Sequence, residues 1–363
     1  MSMRIFIEPE DVWLFRDGKP FDAGSDHRAR SLFPPYPNVM QGIIRSHQLI
    51  LQDIPLTKKD KVMEAVGTAT EYKGLRLRGP FVAKYKDGKL STYFPVPADA
   101  TPCSDDEVKS TAPRICGDGV ITSHEKATLP RLCFANGIEP GKRDYGNWLT
   151  FDALQDCLNG NAVKPVRDDE LFERESRLGI EIEADRARVT KEGQLYQAEF
   201  IRPCPDVGLY VEFEGYDWAD DQGLLRMAGE GRGGRYQSVN GSDWLVPEKP
   251  LPRLFKVYFA SPAYFSQGWR PEKWGTFFEG DVLLEAVALK GYETIGGYDL
   301  ANNQQKAAYR FVPAGSVYYF SSHGAAKLKD GLVQNAITES FNNHDDIAKI
   351  GFGQVIIKEW KEK

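Results

Sequence analysis

The chain has no Cys-x-x-Cys pair, no run of apolar residues near the ~20 that a membrane span requires, and only five histidines. Its five cysteines, Cys103, Cys116, Cys133, Cys157 and Cys204, are scattered and odd in number. That spacing suggests neither a zinc ribbon nor a disulfide framework, and points to a reducing, cytoplasmic compartment. Nucleophile-elbow, Walker A and His-Glu-x-x-His words are missing too, so the usual serine hydrolase, nucleotide hydrolase and zinc protease signatures are not there. Neither a cofactor nor a metal is expected. Arg4, Glu8, Glu10 and Asp11 break up the apolar residues at the start, which excludes a signal-peptide reading of that stretch.

What is present is the composition of a water-facing globular protein. The chain has 363 residues, 41% hydrophobic and 12% aromatic, enough for two domains with a substantial core. A net charge of −6 would on average repel nucleic acid, but binding depends on where the charges sit. Six basic residues fall between Lys73 and Lys89 against the single acid Asp87, and three arginines lie between Arg226 and Arg235 against Glu230. Acids gather elsewhere, at Asp105-Asp106-Glu107 and from Glu212 to Asp221. The segregation suits a basic groove on an acidic body.

The stretch from Phe6 to Arg45 organises the rest. A strand signal, Val12-Trp13-Leu14-Phe15, runs into a loop dense in Gly, Asp and Arg that carries Arg16, Lys19, Gly24, His27, Arg28 and Arg30. Pro34-Pro35-Tyr36-Pro37 then leads into an amphipathic helix. At about 100° per residue, Val39, Met40, Ile43, Ile44, Ile50 and Leu51 share one face, with Gln41, Arg45 and Gln48 opposite. His47 falls on the apolar face, where a buried structural role is expected.

Lys58–Val66 reads as a second short helix. Gly79 to Pro95 reads as a hairpin turning at Asp87-Gly88, with Lys84, Lys86 and Lys89 near its tip. Residues 98–145 read as a long irregular insertion, after which Thr150 caps a helix ending near Leu158. Strands are expected at Ile180–Ile182, Leu195–Ile201, Val207–Phe213, Leu254–Ala260, Val282–Ala288, Val317–Phe320 and Val355–Ile357. Asp217–Met227 reads as helical, Gly296-Gly297 and Gly351-Phe352-Gly353 as turns, and Ala336–Lys349 as a helix. Hairpins without a steady βαβ rhythm argue for an α+β fold with antiparallel sheets.

Gly229, Gly231 and Gly234 match Gly-x-Gly-x-x-Gly by spacing, but a dinucleotide site needs a strand before them and a helix after. The residues after Gly234 look extended. A flexible loop of this kind instead suits a phosphodiester backbone: glycines let main-chain N–H groups approach phosphates, and Arg232 and Arg235 add charge. His344-Asp345 lacks the separated partners that a metal phosphohydrolase needs. His27 is the one histidine placed as a general acid or base for RNA cleavage. Aromatics near the basic regions offer stacking surfaces for single-stranded RNA.

The words themselves carry a resemblance. FRDGKPFDAG, SLFPPYP, the helix pattern Val-x-x-Gly-x-x-Arg, ESRLGIEIEADRARVTKEGQLYQAEFIR, IGGYDL, PAGSVYYF and GFGQVIIKEW occur in one order over most of the chain. Together they resemble the third-subunit family of the type III-B CRISPR effector (Cmr) complex, one of the RAMP families. The resemblance implies two ferredoxin-like (RRM-like) domains, placed at residues 1–215 and 216–363, the first with the hairpin and the insertion. It implies a non-catalytic subunit that binds the 5′ repeat-derived tag of CRISPR RNA. It also implies docking to a large polymerase-like subunit and to backbone RAMP subunits, with no membrane. Arg16, Lys19, Gly24, Arg45, Arg177, Gly234, Arg235, Gly296, Gly297, Gly351 and Gly353 match its recurring words. Two alternatives remain: a metal-independent RAMP endoribonuclease using His27, and a protein scaffold whose basic groove meets an acidic partner.

Overall fold

The computed structural model describes residues 2–16, 28–104, 106–115, 129–132, 146–180, 195–227, 229–241, 247, 249–299, 304–341 and 343–362. Met3–Pro9 (β1) and Arg28–Ala29 (β2) precede the helices Pro37–Leu51 (α1) and Lys59–Val66 (α2). Next come the hairpin Arg76–Lys86 (β3) and Lys89–Pro95 (β4), then Ala100–Pro102 (β5), Val108–Ser110 (β6), Arg114–Ile115 (β7) and Arg131–Leu132 (β8). Trp148–Thr150 (β9) leads into Phe151–Leu158 (α3). Phe172–Ile180 (β10), Leu195–Pro203 (β11), Val207–Glu214 (β12), Gln222–Arg226 (β13) and Gly233–Ser238 (β14) follow. The last third holds Leu254–Phe259 (β15), Ala263–Tyr264 (β16), Phe278–Glu279 (β17), Val282–Ala288 (β18), Glu293–Asp299 (β19), Gln304–Val312 (β20), Val317–Ser322 (β21), Lys327–Leu328 (β22) and Val355–Glu359 (β23). The class is mixed α+β with mostly antiparallel sheets and few helices. No described helix is long and apolar enough to cross a membrane.

Two compact units interleave along the chain: residues 1–90, 168–241 and 294–309 form the first, and 91–167, 242–293 and 310–363 the second. The sequence reading placed a single cut after residue 215. The units do not follow that cut, because β14 pairs with β1, and Asn38 Nδ2 on α1 donates to Gly296 O at 2.6 Å.

In the first unit the strand order is β13-β14-β1-β12-β3. Ile5, Phe6 and Ile7 of β1 are completely buried between their two antiparallel neighbours. Helix α1 lies against β3 and β13. Its buried face includes Met40, Ile43 and Ile44 as the sequence suggested, but is shifted from the expected one. Gln41 and Gln48 are buried, whereas Ile50 and Leu51 are exposed. The reason is polar pairing: Trp218 Nε1 donates to Gln48 Oε1 at 3.1 Å, and Gln41 bonds to Asn38 O and Arg45. His47 is buried as expected, edge-on to Trp218 and Tyr236, and burial lowers its pKa.

The run Val12–Phe15 is extended but forms no strand. Among the described residues its backbone makes a bridge from Trp13 to Ile201 and accepts from Leu32 N at Phe15 O. Both sides of the run are buried: Val12 and Leu14 pack with Ala29, Ala198 and Phe200, while Trp13 meets Phe15 and Phe33. Asp217–Met227, read as helical, contains strand β13; exposed Leu224 and buried Leu225 alternate as a strand requires. The Asp87-Gly88 hairpin forms as predicted, both residues with positive φ.

The second unit is built on the antiparallel order β18-β21-β15-β23. Phe255, Val257, Phe259, Tyr318 and Phe320 line its core on one face. On the other face, Lys256 Nζ donates to Ser110 Oγ at 2.5 Å and lies 3.6 Å from Asp99, whose carboxylate also accepts from Ser110 and Tyr319. Tyr258 bonds to Pro95 O at 2.7 Å. The described part of the region read as an irregular arm is therefore a pair of small hairpins, and β5–β6 is fastened to this sheet. Helix α3 forms as predicted with Thr150 Oγ1 accepting from Ala153 N. Burial pushes the thiol of its Cys157 up to about 12. The predicted helix at Ala336–Lys349 is reduced to a short 3-10 turn, Ile347–Ile350. Ile337 N donates to Gly353 O, Glu339 N to Tyr264 O and Ile347 N to Ser340 Oγ, so that backbone is satisfied sideways instead.

Asp99→Ala should cost about 3–5 kcal/mol, because it strands a buried ammonium. Adding Lys256→Met should recover much of that loss. Urea unfolding of the two variants against the parent measures both effects.

Candidate nucleic-acid interface

Alternation along the β10–β11 hairpin builds the site. The register pairs Glu173 with Arg202, Glu175 with Phe200 and Arg177 with Ala198, so these six residues stand on one face. Asp11 arrives from the turn after β1, and Arg232 from the turn between β13 and β14. Arg177 contacts Asp11 Oδ2 at 3.2 Å and Glu175 Oε1 at 2.6 Å. Arg202 contacts Asp11 Oδ1 at 3.1 Å and Glu175 Oε2 at 2.6 Å. Arg232 lies 3.6 Å from Asp11 and 3.7 Å from Glu230. The guanidinium carbons of Arg177 and Arg232 each sit 4.9 Å from the centre of the buried Phe200 ring, a cation–π arrangement.

The turn holding Arg232 depends on Gly229, whose φ is +69°; a Cβ there would stand 2.2 Å from Leu14 O. Met227 N donates to Arg232 O at 2.7 Å and closes it. This glycine loop joins two strands, so the dinucleotide reading fails on structure as well as on pattern. Hydrogen bonds from Arg177, then Arg202, hold the Asp11 and Glu175 carboxyls below their ordinary range. Glu175, then Asp11, raises both guanidinium values.

Several predicted site residues lie around the same three-stranded sheet, β10-β11-β2. The Arg28 backbone pairs with Gln197 in the parallel β2–β11 contact. Arg16 is exposed and bridges to Ser31, and Arg30 is exposed. Arg174 Nη1 donates to Ser31 O and Glu199, both at 2.7 Å. Arg235 is largely exposed and pairs with Glu10 at 3.0 Å. Lys19, Gly24 and His27 lie outside the described residues.

Others are placed differently. Arg45 is half-buried, donating to Gln41 Oε1 at 3.0 Å and Thr68 O at 2.8 Å, and desolvation lowers its pKa. Lys84 is half-buried, whereas Lys86 and Lys89 are exposed at the hairpin tip. A Cβ on Gly234 would meet Ile7, Met227 and Glu8 O at 3.0–3.2 Å, so this glycine serves strand packing. Gly296 and Gly297 lie inside β19 rather than in a turn. Gly351 and Gly353 form the expected turn with positive φ, but both are buried in the second unit. Buried glycines present no surface to RNA.

Sequence reasoning missed Asp11, Glu175 and Arg202. The signal was available in the alternating words Glu-Ser-Arg and Phe-Ile-Arg, which put Glu175 with Arg177 and Phe200 with Arg202 once the two strands are paired. Among the described residues no group of His, Cys, Asp and Glu is placed to hold a metal ion.

Because Asp11 and Glu175 have lowered values in the folded chain, their pairing stabilises it fully at neutral pH. That stabilisation fades as pH falls below the ordinary carboxylate range, near pH 4, and through the lowered values. Hydrogen exchange should show β10–β11 protection unchanged across neutral pH and declining only in that acid range.

A family model described as CRISPR-associated protein (Cas_Cmr3) matches residues 5–360. No curated protein matches the chain. Among solved structures, it is similar to a chain of the cryo-EM structure of the Type III-B Cmr-beta bound to cognate target RNA. The identity there is 16%, the match covers 97% of this chain and 96% of that one, and the TM-score is 0.49. It is also similar to a chain of the Csm3-Csm4 subcomplex in the type III-A CRISPR-Cas interference complex, at 13% identity over 90% of this chain and 98% of that one, with a TM-score of 0.40. The structural likenesses are remote, whereas the family model spans nearly the whole length. The chain belongs to the Cas_Cmr3 family of CRISPR-associated proteins.

Proposed function

We propose that this chain is a non-catalytic RNA-binding subunit of a type III-B CRISPR effector, holding the 5′ repeat-derived tag of the CRISPR RNA. In this reading its two units are ferredoxin-like (RRM-like) domains, and it docks to the large polymerase-like subunit and to a backbone RAMP subunit. Family membership supports the setting. The observation that carries the RNA role is the gathering of Arg177, Arg202 and Arg232 around two carboxylates and one ring. Guanidinium forks match phosphate oxygens as they match carboxylates, and Arg16, Arg30 and Arg235 extend the cationic character into solvent. Single-stranded RNA is held by that combination of phosphate pairing and planar stacking surfaces.

Binding of a single-stranded RNA of the tag sequence to the purified chain tests the reading. Replacing Arg177, Arg202 or Arg232 with Ala should weaken binding in each case and flatten its salt dependence, by about 0.7 in log–log slope for each phosphate no longer neutralised. Equal affinity and slope in all three variants would remove this face as the RNA site. Labelled repeat RNA should emerge intact after incubation; shorter products would replace the binder with the ribonuclease alternative.

The β3–β4 hairpin is proposed to clamp the same RNA. Its two-residue turn places Lys86 opposite Lys89, with Lys84 two residues back on the same face. Changing all three to Glu should abolish RNA retention while unfolding stability falls by no more than about 1 kcal/mol, since Lys86 and Lys89 are exposed and Lys84 is half-buried. A folded triple variant that keeps its RNA would exclude the clamp.

A further inference from the structure

Asp11 touches every arginine of the triad, and it does so with both carboxylate oxygens: Oδ1 faces Arg202, while Oδ2 faces Arg177 and Arg232. Two oxygens sharing one negative charge among several guanidinium forks is also what a phosphodiester offers through its two non-bridging oxygens. Glu175 is held differently. It is anchored within β10, and its contacts to Arg177 and Arg202 are both 2.6 Å. The Asp11 contacts are longer, 3.1–3.6 Å, and come from a turn whose Asp side chain is 47% exposed. Asp11 is thus more easily exchanged than Glu175, and it is the acid that all three arginines share.

The charges balance in the same way. Among the ion-paired groups, Arg177, Arg202 and Arg232 contribute +3 and Asp11, Glu175 and Glu230 contribute −3, so the pairs sum to zero, and Glu173 on the same face adds no positive charge. A phosphate that joined without displacing anything would meet no net attraction. One that took the place of Asp11 would keep the balance.

We propose that Asp11 is a built-in competitor for RNA phosphate: it holds the arginine triad together when RNA is absent and is displaced when a phosphodiester binds. The proposal rests on the RNA-binding reading above and adds its regulation. It predicts an effect opposite to the usual one, in which loss of a residue from a binding face strengthens binding.

The test uses the full chain and a synthetic single-stranded RNA of the tag sequence. Asp11→Asn keeps the side-chain size and removes the charge, and should tighten binding about three- to tenfold, on the scale of the exposed charge pairs released. Asp11→Ser serves as a second variant, and thermal unfolding verifies that each is folded. In the parent chain, carbon-13 NMR of the Asp11 carboxylate supplies an independent readout. Its lowered titration should relax upward toward the ordinary aspartate value when RNA is added, because the arginines have turned to phosphate. Weaker or unchanged binding in both folded variants, or a carboxylate titration indifferent to RNA, overturns the proposal and leaves Asp11 as a positioning group. If the parent chain binds no RNA, the functional reading itself fails, and this inference falls with it. Parent binding with indifferent variants separates the two failures.

Discussion

The position of the arginine face depends on one pairing, that of β1 with β14. The register sets Ile7 against Tyr236, Glu8 against Arg235 and Pro9 against Gly234. One residue further on, Glu10 N donates to Gly233 O. This brings the turn at Asp11 beside the turn at Arg232. Slipping the register by one residue would reverse every side chain of β14, carrying Tyr236 out of the core. The pairing is close because Gly234 has no side chain to hold Ile7 and Met227 apart. A surface of paired charges is thereby positioned by a strand whose centre, Ile5 to Ile7, is wholly buried.

Three guanidinium groups near one ring repel one another, and the chain answers with carboxylates rather than with distance. Asp11 and Glu175 each serve two or more arginines, so none of the three cations stands without an acid within 4 Å. Phe200 adds a face to two of them. Solvent reaches all of these groups, which keeps each pair weak and screened by salt. A network of weak pairs keeps its geometry and still allows any one partner to be replaced.

How much of this was legible in the sequence depended on the range of the interaction. The Asp87-Gly88 hairpin and the Thr150 cap were readable because a turn and a cap are decided within four residues. Helix α1 was found with Met40, Ile43 and Ile44 inside, but the edges of its inner face were misjudged, because burial of Gln48 is decided by Trp218, 170 residues away. Val12–Phe15 looked like a strand because it is apolar on both sides, and the structure uses both sides without continuous pairing. Gly234, Gly351 and Gly353 were noticed as recurring words, yet Gly234 and Gly353 answer to close packing and Gly351 to a positive φ, which a motif cannot distinguish from phosphate contact. Arg202 and Asp11 escaped notice because only the β10–β11 register and the β1 turn bring them to Arg177.

The two charge networks of this chain use the same chemistry for opposite ends, and burial decides which. Lys256 and Asp99 in the second unit have side chains only 4% and 0% exposed, so neither group can exchange its partner for water. Separating them would leave a charge in a medium that cannot solvate it. Ser110 and Tyr319 both donate to Asp99 Oδ2 and fix β5–β6 to the sheet. In the first unit, Asp11 and its arginines remain between 27% and 47% exposed. Water can take over each contact at little cost, and so can another anion. The buried pair therefore locks one arrangement of the fold, while the exposed triad keeps its arginines aligned and open to exchange.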